Sequence, residues 1–104
     1  MKLWLNKAMK PSVALQTHRA LIRSVVERYR ARNPRVFGSV LHGDDEEGSD
    51  LDLLIDPIKG TSLMDVAGIQ VELERLLGIP VDVLTPKALP EKFRQRVLDE
   101  AVPV

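Results

Sequence analysis

The residues best able to do chemistry lie in the run FGSVLHGDDEEGSDLDLLID, from Phe37 to Asp56. Asp50 and Asp52 stand two apart within it. In a strand, residues two apart share a face. Leu51, Leu53 and Ile55 therefore point one way, into a core, and Asp50 and Asp52 point the other. Their side chains begin about 7 Å apart, because each strand residue rises roughly 3.3–3.4 Å. Two carboxylates so placed repel each other and do not both ionise cheaply. A shared proton relieves the repulsion, and so does a divalent cation; oxygen donors suit Mg²⁺ or Mn²⁺. Asp82 repeats the pattern in Pro80-Val81-Asp82-Val83-Leu84, although strands are depleted in Asp. If that strand lies beside the first, three carboxylates share a face and could hold two metals about 3.5–4 Å apart. Such a pair activates a hydroxyl and neutralises phosphate charge. The competing reading is a solvated acidic pair guarding a sheet edge. Asp56 has the same parity but precedes Pro57 and reads as a turn residue.

Gly38-Ser39 lies eleven residues before Asp50, after a short apolar strand. Glycine lets backbone approach a ligand closely, and N–H groups at a helix start bind phosphate. A Gly-Ser pair is also an ordinary turn, and its value here is positional. The G-x-x-x-x-G-K-[ST] loop and the dinucleotide fingerprint are both absent. An EF-hand fails as well: aligning Gly48 at the sixth position puts Gly43 first and Leu54 twelfth.

The elements that must position these residues follow from periodicity and punctuation. Ser12 is placed to cap a helix reaching about Arg32, with Val13, Leu21, Val25 and Val26 on its apolar face and Asn33-Pro34 ending it. Arg35-Val36-Phe37 reads as a strand stopped by Gly38. Ser39 to His42 makes one helical turn, and Gly43 to Ser49 a polar, acidic loop. Leu51 to Ile55 is a strand. Ser62 and Asp65 form a capping box for a helix that ends at Gly78, with Leu63, Val66, Ile69, Leu73, Leu76 and Leu77 as its core stripe. Pro80 to Leu84 is a strand and Pro86 to Leu89 a turn. Pro90 opens a last helix to about Glu100, docked by Phe93, Val97 and Leu98. Trp4 and Met9 read as packing residues and His18 as exposed. The order implies an α/β (α+β) fold: a small mixed sheet of three or more strands covered by helices.

The 104 residues fit one domain, 1–104, with 1–11 as an N-terminal arm. A chain this short leaves little room for a separate substrate domain, so a homo- or hetero-oligomeric partner is expected to complete the site. No cysteine is present, which excludes disulfides and thiolate metal sites. No apolar run approaches the roughly 20 residues that span a bilayer, and the cytoplasm is the expected location. Fifteen basic and fifteen acidic residues cancel overall, but not locally. Met1 to Val36 carries nine basic residues and one acidic; Asp44 to Asp56 carries seven acidic and none basic. This suggests a charged partner or a solvated basic helix face. Direct nucleic-acid binding is weakly supported, because interleaved aromatics are nearly absent.

Gly38-Ser39, Ser49-Asp50-Leu51-Asp52-Leu53 and the later Asp82 together resemble the polymerase-β-type nucleotidyltransferase superfamily. The variant G-S-x-x-x-G-x(5)-S-D-x-D-L matches from Gly38 to Leu53. The size and the tail VDVLTPKALPEKFRQRVLDEAVP resemble the minimal nucleotidyltransferases (MNT) encoded beside HEPN proteins, over about residues 20 to 104. The resemblance implies that Gly38, Ser39 and Ser49 contact the nucleotide. It implies that Asp50 and Asp52 bind Mg²⁺, and that Asp82 completes the metal site and helps deprotonate an acceptor hydroxyl. It also implies ATP as substrate and a HEPN ribonuclease toxin as partner, adenylylated on a tyrosine by its antitoxin. Two departures stand out. Many relatives carry Arg where this chain has His42, and a neutral His helps a phosphate less than a fixed cation; His42 reads as phosphate-proximal or exposed rather than a metal ligand. The loop Asp44-Asp45-Glu46-Glu47 could repel ATP at low salt. The alternatives are an antitoxin that neutralises its partner by contact alone and, third, a small-molecule nucleotidyltransferase of the antibiotic-modifying kind.

Overall fold

The computed structural model describes residues 9–104. Trp4 and positions 1–8 of the arm lie outside the described residues. The expected first helix is two: α1 (Pro11–Thr17) and α2 (Arg19–Arg28), broken at His18, which leaves helical geometry at φ −126° and ψ 31°. Ser12 is not the cap. Lys10 holds that position without a side-chain bond and Pro11 occupies the first turn, where its missing N–H costs nothing. The Ser12 N–H is instead taken by Asp45 Oδ2 at 2.8 Å, from 33 residues away.

Strand β1 (Ala31–Phe37) starts earlier than expected. Arg30 and Asn33 take positive φ, 63° and 56°, and the register shifts between Arg32 and Arg35. That bulge accommodates Pro34, which cannot donate to a ladder. The helical turn α3 (Ser39–His42) follows, closed by Gly43 in the left-handed region. Strand β2 is Leu51–Pro57. Helix α4 (Leu63–Leu77) opens on the Ser62/Asp65 capping box and ends at left-handed Gly78, as its sequence dictates. Strand β3 is Val81–Leu84, a 3₁₀ turn covers Pro86–Ala88, and helix α5 is Glu91–Glu100, with Pro90 as its cap rather than its first residue. A short β4 (Val102–Pro103) was not foreseen from the sequence.

The sheet order is β3-β2-β1-β4. β1 runs antiparallel to β2 and β4, and β3 runs parallel to β2, with α4 as the crossover. This is the mixed, helix-covered α+β sheet expected. Val36, Leu51, Leu53, Ile55, Val81 and Val83 form the core face, sealed by Ile22, Val25 and Val26 of α2 and by Ile69, Leu73 and Leu77 of α4. Two expected stripe members fail: Leu63 is 87 % exposed and Leu76 is exposed too. Leu63 opens the helix, beyond the sheet, and Leu76 sits on the flank of the buried line. Val13 also faces solvent. The outer edge of β3 is closed by side chains of α4: Glu74 Oε2 accepts from the Val81 N–H and Gln70 Oε1 from the Val83 N–H, both at 3.1 Å. Capping these groups removes a free strand edge.

Opposite the core face, α5 and the 3₁₀ turn lie over the second face of the sheet. Arg94 ties the turn to the helix by donating to the carbonyls of Pro86, Lys87 and Leu89. No residue of α5 is fully buried. Phe93 is 40 % exposed, so the expected docking by Phe93, Val97 and Leu98 is looser than a core contact.

Candidate active site

Register brings the acidic residues together. Asp52 of β2 lies directly beside Asp82 of β3 and opposite Phe37 of β1. Because the pleat alternates, the row Phe37–Asp52–Asp82 points away from the core that Leu51 and Leu53 fill. Asp50 precedes β2 and is exposed. Asp52 is half-buried, and burial first, then the charges of Asp82 and Asp50, push its carboxyl up to about 6. Asp56 is not a turn residue. It stays within β2, paired with Arg32 in register, and accepts from Arg35 and Asn33. These partners take it out of the acidic row.

The glycine turn abuts the same row. Gly38 has φ 76°, and a Cβ there would collide with the Asp52 carboxylate. Only a residue without a side chain can bring this backbone against that acid. Ser39 opens α3, and its carbonyl accepts from the Asp44 N–H at 2.9 Å. Ser49 closes the acidic loop: its Oγ accepts from the Glu46 N–H at 2.9 Å, just before Asp50.

One side chain of the acidic loop is turned inward. Asp45 is the sole buried charged residue among those described. Burial raises its pKa, but the hydrogen bonds from Ser12 outweigh this and leave it below the usual carboxylate value. One of the four acids thus anchors the loop to the start of α1.

As they stand, no three acidic or imidazole side chains among the described residues converge closely enough to hold a metal ion. The expected three-carboxylate cage is therefore an adjacent pair, Asp52 and Asp82, with Asp50 at its mouth. The donor set still fits Mg²⁺, which typically binds through one or two carboxylates and takes its other ligands from substrate phosphates and water. Burial contributes most to the raised Asp52 carboxyl, and the charges of Asp82 and Asp50 that add to it are ones a cation would offset.

Beside the pair opens a cleft of about 340 Å³ between Gly38, Leu84 and the inner side of α5. His42 is half-exposed on its rim, 3.6 Å from Glu100 of α5. Neither residue type nor spacing points to Phe93 and Arg96 as site residues, yet both line this cleft. The resemblance of the tail was the one signal that α5 mattered.

The chain matches the family described as nucleotidyltransferase domain over residues 18–104. It is 36% identical over 88 residues to the protein adenylyltransferase MntA of Thermococcus cleftensis, covering 85% of this chain and 86% of that protein. It is 35% identical over 80 residues to a Methanocaldococcus jannaschii protein provisionally named a protein adenylyltransferase, covering 77% and 86%. A solved structure described provisionally as a minimal nucleotidyltransferase superposes with TM-score 0.79 at 40% identity, over 89% of this chain and 95% of the other. The fold is shared with a toxin–antitoxin complex solved with AMP-PNP, at TM-score 0.65 and 16% identity over 77% and 66% of the two chains. No helix among the described residues is long and apolar enough to cross a membrane. A Gly-Ser turn pressed against an Asp-x-Asp strand, on a domain matched over nearly its whole described length, leaves one assignment: this chain belongs to the nucleotidyltransferase-domain family, in its minimal form.

Proposed function

We propose that this enzyme transfers AMP from ATP to a hydroxyl of a partner protein, and that the partner is a HEPN-type ribonuclease toxin carrying an acceptor tyrosine. The observation that carries this reading is the in-register Asp52–Asp82 pair with Gly38 packed against it. The names of the relatives support protein as the acceptor class. Asp50, Asp52 and Asp82 would hold Mg²⁺ or Mn²⁺, which neutralises phosphate charge when bound. Gly38, Ser39 and Ser49 would position the triphosphate. The acceptor oxygen bonds to the α-phosphorus, the bond to pyrophosphate breaks, and Asp82 receives the hydroxyl proton. The whole chain acts as one catalytic domain, in the cytoplasm where ATP is available, alone or in an oligomer with its partner.

The test is transfer of label from α-³²P-ATP to co-purified partner in Mg²⁺. Asp52→Asn is expected to abolish labelling, and undiminished labelling would remove the assignment. A second reading, neutralisation of the toxin by contact alone, is favoured by the apolar residues that α4 leaves in solvent, Leu63, Met64 and Val71. It predicts that Asp52→Asn still protects cells from the toxin.

A further inference from the structure

We propose that Arg96 is the phosphate-binding cation of this site, reaching the nucleotide from α5 across the cleft that Gly38 lines. The inference rests on the nucleotidyl-transfer reading and adds a residue outside the Gly-Ser and Asp-x-Asp motifs.

A polyanion brought to the acidic row meets Asp50, Asp52 and Asp82 on one side, and Glu100 lines the cleft beside it. Metal would offset part of this charge, and a fixed protein cation nearby would offset more. Among the described residues lining the cleft, Arg96 is the one permanent cation. The other basic side chains of α5 are placed differently. Arg94 is committed to three backbone carbonyls, and Lys92 sits over the Phe93 ring without lining the cleft. His42 faces Glu100.

Arg96, by contrast, has no carboxylate partner among the described residues; its guanidinium rests 5.4 Å from the centre of the Phe93 ring. A cation–π contact of this kind orients a guanidinium without using up its N–H donors. Those donors match phosphate oxygens in a planar, two-point geometry that Lys lacks. The remaining walls, Phe37, Leu84, Leu89 and Val97 among them, are apolar. A mostly apolar cleft with a few convergent polar groups is the usual form of a small-molecule site.

The test is calorimetric titration of the full chain with α,β-methylene-ATP and Mg²⁺. Arg96→Gln is expected to weaken binding about ten- to hundredfold, the effect of losing one charge-assisted contact. Arg96→Lys should recover part of the loss, and Lys92→Gln should stay within about threefold of the parent, since general surface charge counts for little. Melting curves unchanged from the parent would confirm that Arg96→Gln remains folded. The inference is overturned if Arg96→Gln binds within about threefold of the parent, if Lys92→Gln loses as much, or if Arg96→Lys loses as much as Arg96→Gln. Arg96→Gln failing while the parent binds tightly supports it. Absence of binding by the parent itself would overturn both this inference and the nucleotidyl-transfer reading.

Discussion

The α-carbon of Gly38 packs directly on the carboxylate of Asp52, so that the space a Cβ would need is already held by Asp52 Oδ2. The turn that would meet a triphosphate and the acid that would meet a metal are thus in one contact. Their relative placement is set by the antiparallel pairing of Phe37 with Asp52.

Gly38→Ala should therefore damage both groups. At φ 76° an L side chain is strained, and such strain costs on the order of 1–3 kcal/mol. Relief of the collision requires Asp52 to move, and we expect label transfer to fall at least about a hundredfold, since small misplacements at a reacting centre cost that much. A thermal melt and a transfer assay check the two effects. Adding Asp52→Ala should return part of the stability but none of the activity, a coupling that a double-mutant cycle reads.

Asp52 also links stability to pH. Its carboxyl titrates near 6 in the fold, against about 3.9 in an unfolded chain. Between these values the unfolded chain gives up its proton and the folded chain keeps it, so this group's contribution to stability declines as pH rises from about 4 to 6. Above that window it is a net cost, on the order of 1–2 kcal/mol once its half-exposed position is allowed for. Asp52→Asn in EDTA should raise the Tm at pH 7.5 by about 4–8 °C and leave it nearly unchanged at pH 4. An equal Tm gain at both pH values would contradict this origin.

Metal should reverse the same cost. For the parent protein, Mg²⁺ added with nucleotide is expected to raise the Tm at pH 7.5, because a ligand that binds only the folded state stabilises it. Asp82→Asn should shift that dependence to higher Mg²⁺ concentration, as one of the two adjacent carboxylates is gone. Identical Mg²⁺ titrations of the two proteins would argue that Asp82 is not a ligand.

Asp45 offers a stability test away from the site. It accepts the Ser12 N–H at the start of α1, so Asp45→Ala should cost about 1–2 kcal/mol, as lost helix caps do. Because its pKa is depressed in the fold, its contribution is present above the unfolded carboxylate value and disappears as pH falls through the folded one. The penalty of the mutation, read by urea unfolding, should be full at pH 7 and vanish in strong acid.

Gly68 gives a prediction of opposite sign to its propensity. In a helix interior Gly→Ala usually stabilises by about 1 kcal/mol. Here a Cβ would lie 2.5 Å from Tyr29 Cε1 and 2.9 Å from its Cδ1. The Tyr29 ring is held in place by its hydroxyl, which donates to Glu72 at 2.8 Å. Gly68→Ala should destabilise by about 1–3 kcal/mol through overpacking. Any increase in stability on urea unfolding would show that the ring moves freely.

What the sequence by itself determined is local. The two-residue alternation around Asp52 and Asp82, the turn at Gly38, the Ser62/Asp65 box and the stop at Gly78 all act over a few residues, and each is found where its chemistry placed it. Helix periodicity alone overextended the stripe on α4 and fused α1 with α2, because it does not report how far the sheet reaches beneath a helix. Tertiary structure decided the rest. It set β3 parallel and in register with β2, so that acids 30 residues apart become neighbours. It turned Asp45 inward to a helix start 33 residues away, and it folded α5 over the second sheet face to bring Arg96 to the cleft. Each of these depends on how two distant segments pack, and neither segment's pattern contains the other's position. The Gly38–Asp52 contact belongs to both: its residue types were legible in the chain, and the strand pairing made them touch.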